Sequence, residues 1–139
     1  MARPGGKPVL LLEDQALIAI YVEELLLQAG FETVMTFSSR VAATNWLRGY
    51  TPELAIIEAR LRDGPCDDIA TLLVERDVPY IVHSGERDGD GDHPLMNGKC
   101  KWIDKPSHPD DLIKAIKECG ARSNKRDWRA GRSSYPGQL

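Results

Sequence analysis

Leu54-Ala55-Ile56-Ile57-Glu58 is a run of four apolar residues closed by an acid. It has no polar alternation, so both of its faces are predicted to be buried, as in a central strand of a parallel sheet covered on both sides. Two more runs share this design. Val9-Leu10-Leu11-Leu12 ends in Glu13-Asp14, and Tyr80-Ile81-Val82 follows Pro79 and stops near Ser84. Thr33-Val34-Met35-Thr36 and Lys101-Trp102-Ile103 are weaker strand candidates that suit the edges of the same sheet.

Helical patterns separate the strands. Between Gln15 and Ala29, residues Ile18, Tyr21, Val22, Leu25 and Ala29 recur at spacings of three and four, with Gly30 as a stop. A second helix is expected from Ser39 to Arg48, capped by Ser38 or Ser39, with Val41, Ala42, Trp46 and Leu47 apolar. A third runs from Asp67 to Arg76 with Ile69, Leu72 and Leu73 inward. The last runs from Pro109 to Cys119 with Leu112, Ile113, Ile116 and Cys119 as its buried stripe. Alternating strands and helices imply an α/β fold with right-handed crossovers. The rhythm breaks between Ser84 and Cys100, where Gly85, Gly89, Gly91 and Pro94 argue for a long loop and against a full helix.

The 139 residues suit one domain, with 42% hydrophobic and 28% charged residues. A net charge of −3 gives the molecule no general attraction to nucleic acid or anionic membrane. Cys66, Cys100 and Cys119 are odd in number and lack CxxC spacing, which suggests neither a disulfide framework nor a zinc site and points to a reducing cytoplasm. No segment is long and apolar enough to span a bilayer. The expected organisation is a flexible N-terminus over 1–7, one domain over 8–119 and a basic tail over 120–139. That tail carries Arg122, Lys125, Arg126, Arg129 and Arg132 against the single acid Asp127, and a disordered terminus is the plainest reading of it.

In an open parallel α/β sheet, ligands bind beyond the carboxyl ends of the strands. At that rim this chain places Glu13 and Asp14 after the first strand, Glu58 after the third, Ser84 at the end of the fourth and Lys105-Pro106 after the fifth. Carboxylates brought this close repel one another, and a divalent cation or the Lys105 ammonium relieves the repulsion. Oxygen-only ligands suit Mg²⁺.

Taken in order, Leu-Leu-Leu-Glu13-Asp14, Glu-Leu-Ala-Ile-Ile-Glu58 with Leu61-Arg62-Asp63-Gly64, Val-Pro-Tyr-Ile-Val-His-Ser84-Gly85 and Trp102-Ile-Asp-Lys105-Pro106 resemble the motifs of two-component response-regulator receiver domains. The resemblance covers roughly residues 8 to 119. It implies a flavodoxin-like fold, a five-stranded parallel sheet of order 2-1-3-4-5 with helices on both faces and, in this chain, a fourth helix that is short or absent. It also implies roles: Glu13 and Asp14, with Glu58, at a weak Mg²⁺ site; Ser84 and Lys105 as the groups that receive a phosphoryl group; and Trp102 as a switch aromatic. One departure bears on function, because the position of the phosphorylated aspartate is Glu58. The extra methylene adds about 1.5 Å of reach, whereas in-line transfer needs an approach of about 3–3.5 Å, so acceptance of a phosphoryl group should be slowed. The longer carboxylate is expected to extend toward Ser84 and Lys105.

The implied function is that of a stand-alone receiver in phosphorelay signalling. It would not be an enzyme and would act through contacts with a histidine kinase, phosphotransfer or output protein. The alternative is a phosphorylation-independent pseudo-receiver scaffold. A phosphoryl-transfer enzyme is disfavoured by the lack of a Walker-type glycine loop or nucleophile elbow. Asp88-Gly-Asp90-Gly-Asp92 opens like a Ca²⁺ loop but has His93 where glycine is needed and Lys99 where glutamate is needed. His83, His93 and His108 show no ligand spacing. Ile20 and Leu27, seven apart beside Glu23 and Glu24, form an outward apolar pair on the first helix, a surface for a homodimer or for the tail through Trp128.

Overall fold

The computed structural model describes residues 7–85 and 101–120. In the described residues the elements are β1 (Val9–Leu12), α1 (Ala16–Gln28), β2 (Val34–Phe37), α2 (Arg40–Leu47), β3 (Leu54–Ile57), β4 (Arg60–Leu61), β5 (Gly64–Pro65), α3 (Asp67–Glu75), β6 (Tyr80–Ser84) and β7 (Lys101–Asp104). A last helix, α4, covers 109–120. The main sheet has five parallel strands in the order β2-β1-β3-β6-β7. Numbered by main-sheet strand, this is the predicted 2-1-3-4-5. The expected long loop with a short or absent fourth helix, the flexible N-terminus, the tail, the Ca²⁺-like loop, His93 and Cys100 lie outside the described residues.

The three apolar runs are fully buried, as their lack of alternation requires. Successive side chains face opposite sides of the sheet. Leu10, Leu12, Ala55, Ile57, Tyr80 and Val82 face one side, where Ala43 and Leu47 of α2 and Ile69, Ala70 and Leu73 of α3 meet them. Val9, Leu11, Leu54, Ile56 and Ile81 face the other, where they pack against Val22, Leu25 and Leu26 of α1 and Leu112, Ala115, Ile116 and Cys119 of α4. Fully burying a Leu or Ile side chain contributes about 1.5–3 kcal/mol.

Three local features differ from the sequence reading. The buried stripe of α1 is Ala19, Val22, Leu25 and Leu26, with Ile18, Tyr21 and Ala29 at its margins, so the helix is rotated slightly from the expected face. On α2 the buried residues are Ala43 and Leu47; Val41 is exposed, because two residues of helix turn it to the side opposite Ala43. A two-stranded antiparallel hairpin, β4-β5, precedes α3 and was not expected, since two-residue strands leave no periodicity to read.

The helix ends follow their sequence signals. Ser39 caps α2, its side chain accepting from the Ala42 N–H at 3.2 Å. At the end of α1, Gly30 adopts a positive φ of 101°, with Gly30 N–H donating to the Leu27 carbonyl and Phe31 N–H to that of Leu26. This pair of bonds is a Schellman closure, which glycine enters without a Cβ penalty.

Candidate functional site

Strand register brings the polar residues together. Leu12 pairs with Ile57, so Glu13 and Glu58 leave their strands at the same level, and the Glu58 N–H donates to the Leu12 carbonyl at 3.0 Å. Ser84 pairs with Asp104, so Lys105 follows one step beyond, its N–H donating to the Ser84 carbonyl at 2.9 Å. Residues 92 and 47 positions apart thereby converge, Lys105 with Glu13 and Lys105 with Glu58.

At the centre is the Lys105 ammonium. It donates to Glu13 Oε1 and to Glu58 Oε1, both at 2.7 Å. The second oxygen of each carboxylate is also held. Glu13 Oε2 accepts from the Gln15 N–H at 3.1 Å. Glu58 Oε2 accepts from its neighbour Ala59 N–H at 2.8 Å and from the Ser84 hydroxyl. The cluster is deeply set, with side-chain exposures of 11% for Lys105, 2% for Glu13 and 12% for Glu58.

Burial sets the electrostatics. Loss of water raises the Glu13 pKa above its ordinary 4.5, even against the lowering effects of the Lys105 and Gln15 hydrogen bonds. Burial works against the Lys105 ammonium too, but its hydrogen bonds to Glu13 and Glu58 outweigh that cost and leave its pKa above 10.5. His83 lies beside the cluster. Burial, then the Lys105 charge, push its pKa down to about 4, so it is neutral at pH 7, and its Nε2 lies 3.0 Å from the Ser107 hydroxyl.

The structure therefore joins Glu13, Glu58, Ser84 and Lys105. Asp14 stands apart from that cluster, half-buried at the rim, with its backbone carbonyl accepting from Arg62 at 3.4 Å. Trp102 is half-buried on β7, packs against the α2/α3 side of the core and donates from its indole to Asp104 Oδ1 at 3.0 Å. Asp63 is exposed and serves α2, its two carboxylate oxygens accepting from the Arg40 N–H at 2.8 Å and the Val41 N–H at 3.1 Å. Sequence reading met Asp63 only within the Leu61-Arg62-Asp63-Gly64 stretch and gave it no such role. An acid two residues after Leu61 carries no sign of which distant helix it will cap.

A divalent cation fits this arrangement poorly. Every oxygen of Glu13 and Glu58 already accepts a hydrogen bond, and the ammonium stands between the two carboxylates. Among the described residues, no group of three or more His, Cys, Asp or Glu side chains is placed to hold a metal ion. Among those residues, too, no helix is long and apolar enough to cross a membrane.

No protein-family model matches the chain, and no curated protein matches it. Solved structures do. The non-phosphorylated receiver domain of HemR from Leptospira biflexa superposes with a TM-score of 0.70 at 21% identity, over 83% of this chain and 94% of that one. A CheY-like response regulator receiver domain protein from Methanospirillum hungatei JF-1 gives a TM-score of 0.76 at 19% identity, over 87% and 98%. The anti-anti-sigma factor PhyR from Bartonella quintana gives 0.73 at 22% identity, over 86% of this chain but only 50% of that protein. At these identities the likeness is one of fold. The chain has the CheY-like fold of response-regulator receiver domains.

Proposed function

We propose that this chain is a receiver-type signalling domain that acts by protein contact, with Glu58 standing permanently where receiver domains carry a phosphorylated aspartate. The observation that carries the reading is the double engagement of Glu58: one oxygen takes the Lys105 ammonium and the other takes the Ser84 hydroxyl. These are the two groups that the sequence resemblance assigns to a phosphoryl group. The glutamate brings one negative charge where a phosphoryl group brings about −1.5 to −2, so it is a partial stand-in.

The partners under this reading are proteins of a phosphorelay: a histidine kinase, a phosphotransfer protein or an output protein. The similarity to PhyR, an anti-anti-sigma factor, supports a role carried by binding and not by turnover. On this reading the parent chain does not depend on Mg²⁺, because the Lys105 ammonium already stands between the two carboxylates and offsets one of their two charges.

The test is intact-mass detection of phosphorylation by acetyl phosphate with Mg²⁺, comparing the parent with Glu58→Asp. The parent should gain no phosphoryl group and the aspartate variant should gain one. A modified parent would overturn the reading. An unmodified Glu58→Asp chain would show that residue 58 alone is not what removed phosphorylation.

A further inference from the structure

The outer face of α1 carries more apolar surface than a solvated helix needs. Leu17 is 83% exposed, Ile20 60% and Leu27 50%. Their spacing, with Glu24 filling the gap, is that of a continuous stripe along the helix, about 15 Å long at 1.5 Å per residue. Tyr21, on the flank of this stripe, has its hydroxyl buried without a hydrogen-bond partner. The helix holds no cation along its length: its charged residues are Glu23 and Glu24, and its last turn, the negative end of the helix dipole, has no basic residue.

The rest of the chain leaves the described structure at the right place. α1 and α4 share one face of the sheet. At residue 120, where α4 reaches the end of the described residues, a Cβ on Gly120 would lie 3.1 Å from the Phe31 ring, and Phe31 closes the C-terminus of α1. Residue 120 therefore lies at the C-terminal end of α1, the end that carries Leu27. Residues 121–139 carry five cations (Arg122, Lys125, Arg126, Arg129, Arg132), one acid (Asp127) and two aromatics, Trp128 and Tyr135. Eight extended residues reach up to about 26 Å, so Trp128 can lie anywhere along the stripe.

We propose that residues 121–139 fold back along the Leu17, Ile20 and Leu27 stripe of α1, seating Trp128 between Ile20 and Leu27 and placing the flanking cations against Glu23, Glu24 and the helix C-terminus. The charges favour this occupant over a second copy of the chain. Pairing two α1 helices in parallel sets Glu24 against Glu24 with no cation on either helix, and three apolar side chains fall well short of the roughly 800 Å² per partner of a stable interface. A tethered segment needs far less area, because its effective concentration is in the millimolar range. The docked tail would cover α1 up to Leu17, four residues from Glu13, and any protein that binds this face must displace it.

The test uses the full chain. Methyl NMR should show contacts between the Trp128 ring and the methyls of Ile20 and Leu27, unchanged on dilution. Trypsin should cut after Arg126 and Arg129 at least about fivefold faster in Ile20→Glu than in the parent, since cleavage tracks the population of the open form. Val41→Glu, at an exposed apolar position on α2, should leave that rate unchanged. Absent ring contacts, equal cleavage in parent and Ile20→Glu, or α1 shifts that grow with protein concentration (a second copy on the stripe) would each overturn the proposal.

Discussion

Two ionic networks in this molecule are built from the same chemistry at different depths. At the strand rim, Lys105 joins Glu13 and Glu58 with side chains no more than 12% exposed. At the α2 corner, Arg40 pairs with Asp68 at 2.5 Å, but the Asp68 side chain is 69% exposed, and Asp63 caps the helix beside them. In the rim cluster every carboxylate oxygen takes its donor from inside the protein, where little water reaches it. Each residue there constrains the others. In the corner, water reaches the Asp68 carboxylate and can replace its partner. Depth, and not the number of ion pairs, decides which network the domain depends on.

The largest effect should come from removing the central cation. Lys105→Ala leaves two carboxylates buried without their counter-charge, and denaturant unfolding at pH 7 should show a loss of about 3–5 kcal/mol. The loss should shrink in acid, because burial has already raised the Glu13 pKa and a proton can take over the neutralising role. Adding Glu13→Gln to Lys105→Ala should recover part of it. A loss no greater than that of Arg40→Ala would break the comparison.

Alkali tests the same network from the other side. The Lys105 pKa is held above 10.5 in the folded state. A group whose pKa is raised on folding contributes stability that is fully present below its unfolded value and is lost as pH rises through the folded one. Unfolding free energy should therefore fall above about pH 10.5, and this limb should be absent in Lys105→Met. A variant with the same alkaline limb would assign it to other groups.

The contrast in depth also explains what could be read from the sequence. Leu54–Ile57 and its two companion runs were legible because burial on both faces removes polar alternation. Parallel register then carried Glu13, Glu58, Ser84 and Lys105 to one rim, since the first three directly follow or end such a run and Lys105 follows the edge strand β7. What stayed hidden was geometry without periodicity. The β4-β5 hairpin is two residues a side, and Asp63 meets α2 across 23 positions of sequence. Nor could spacing tell whether the Glu13-Asp14 pair acts together. The structure turns Glu13 into the cluster and leaves Asp14 at the rim, because Gln15 N–H and Lys105 hold only the first.

At the corner, effects should be smaller and local. Ser39→Ala removes the side-chain cap of α2 and should cost about 1 kcal/mol. Asp63 holds the two preceding N–H groups, Arg40 and Val41, so the caps are complementary. Amide exchange in α2 should therefore rise more in Ser39→Ala combined with Asp63→Ala than in either variant alone. An unchanged α2 would mean that packing of Ala43 and Leu47 alone fixes the helix.

The smallest effect separates the two networks by sign. Arg40→Ala should cost about 0.2–1 kcal/mol, less at high salt, as exposed pairs do. Acid discriminates further. The Arg40 hydrogen bond holds the Asp68 pKa below 3.8, so its contribution is present above that value and is lost as pH falls through the folded pKa. Glu13 behaves oppositely: with its pKa raised above 4.5, the folded state binds more protons than the unfolded one, and this group makes stability fall as pH rises through that window. Relative to the parent, Asp68→Asn should thus lose least near pH 3, whereas Glu13→Gln should compare worst with the parent in acid and improve as pH rises through the Glu13 titration. Parallel pH profiles for the two variants would show that burial does not set the Glu13 proton affinity, and the distinction between a deep and a shallow network would lose its physical basis.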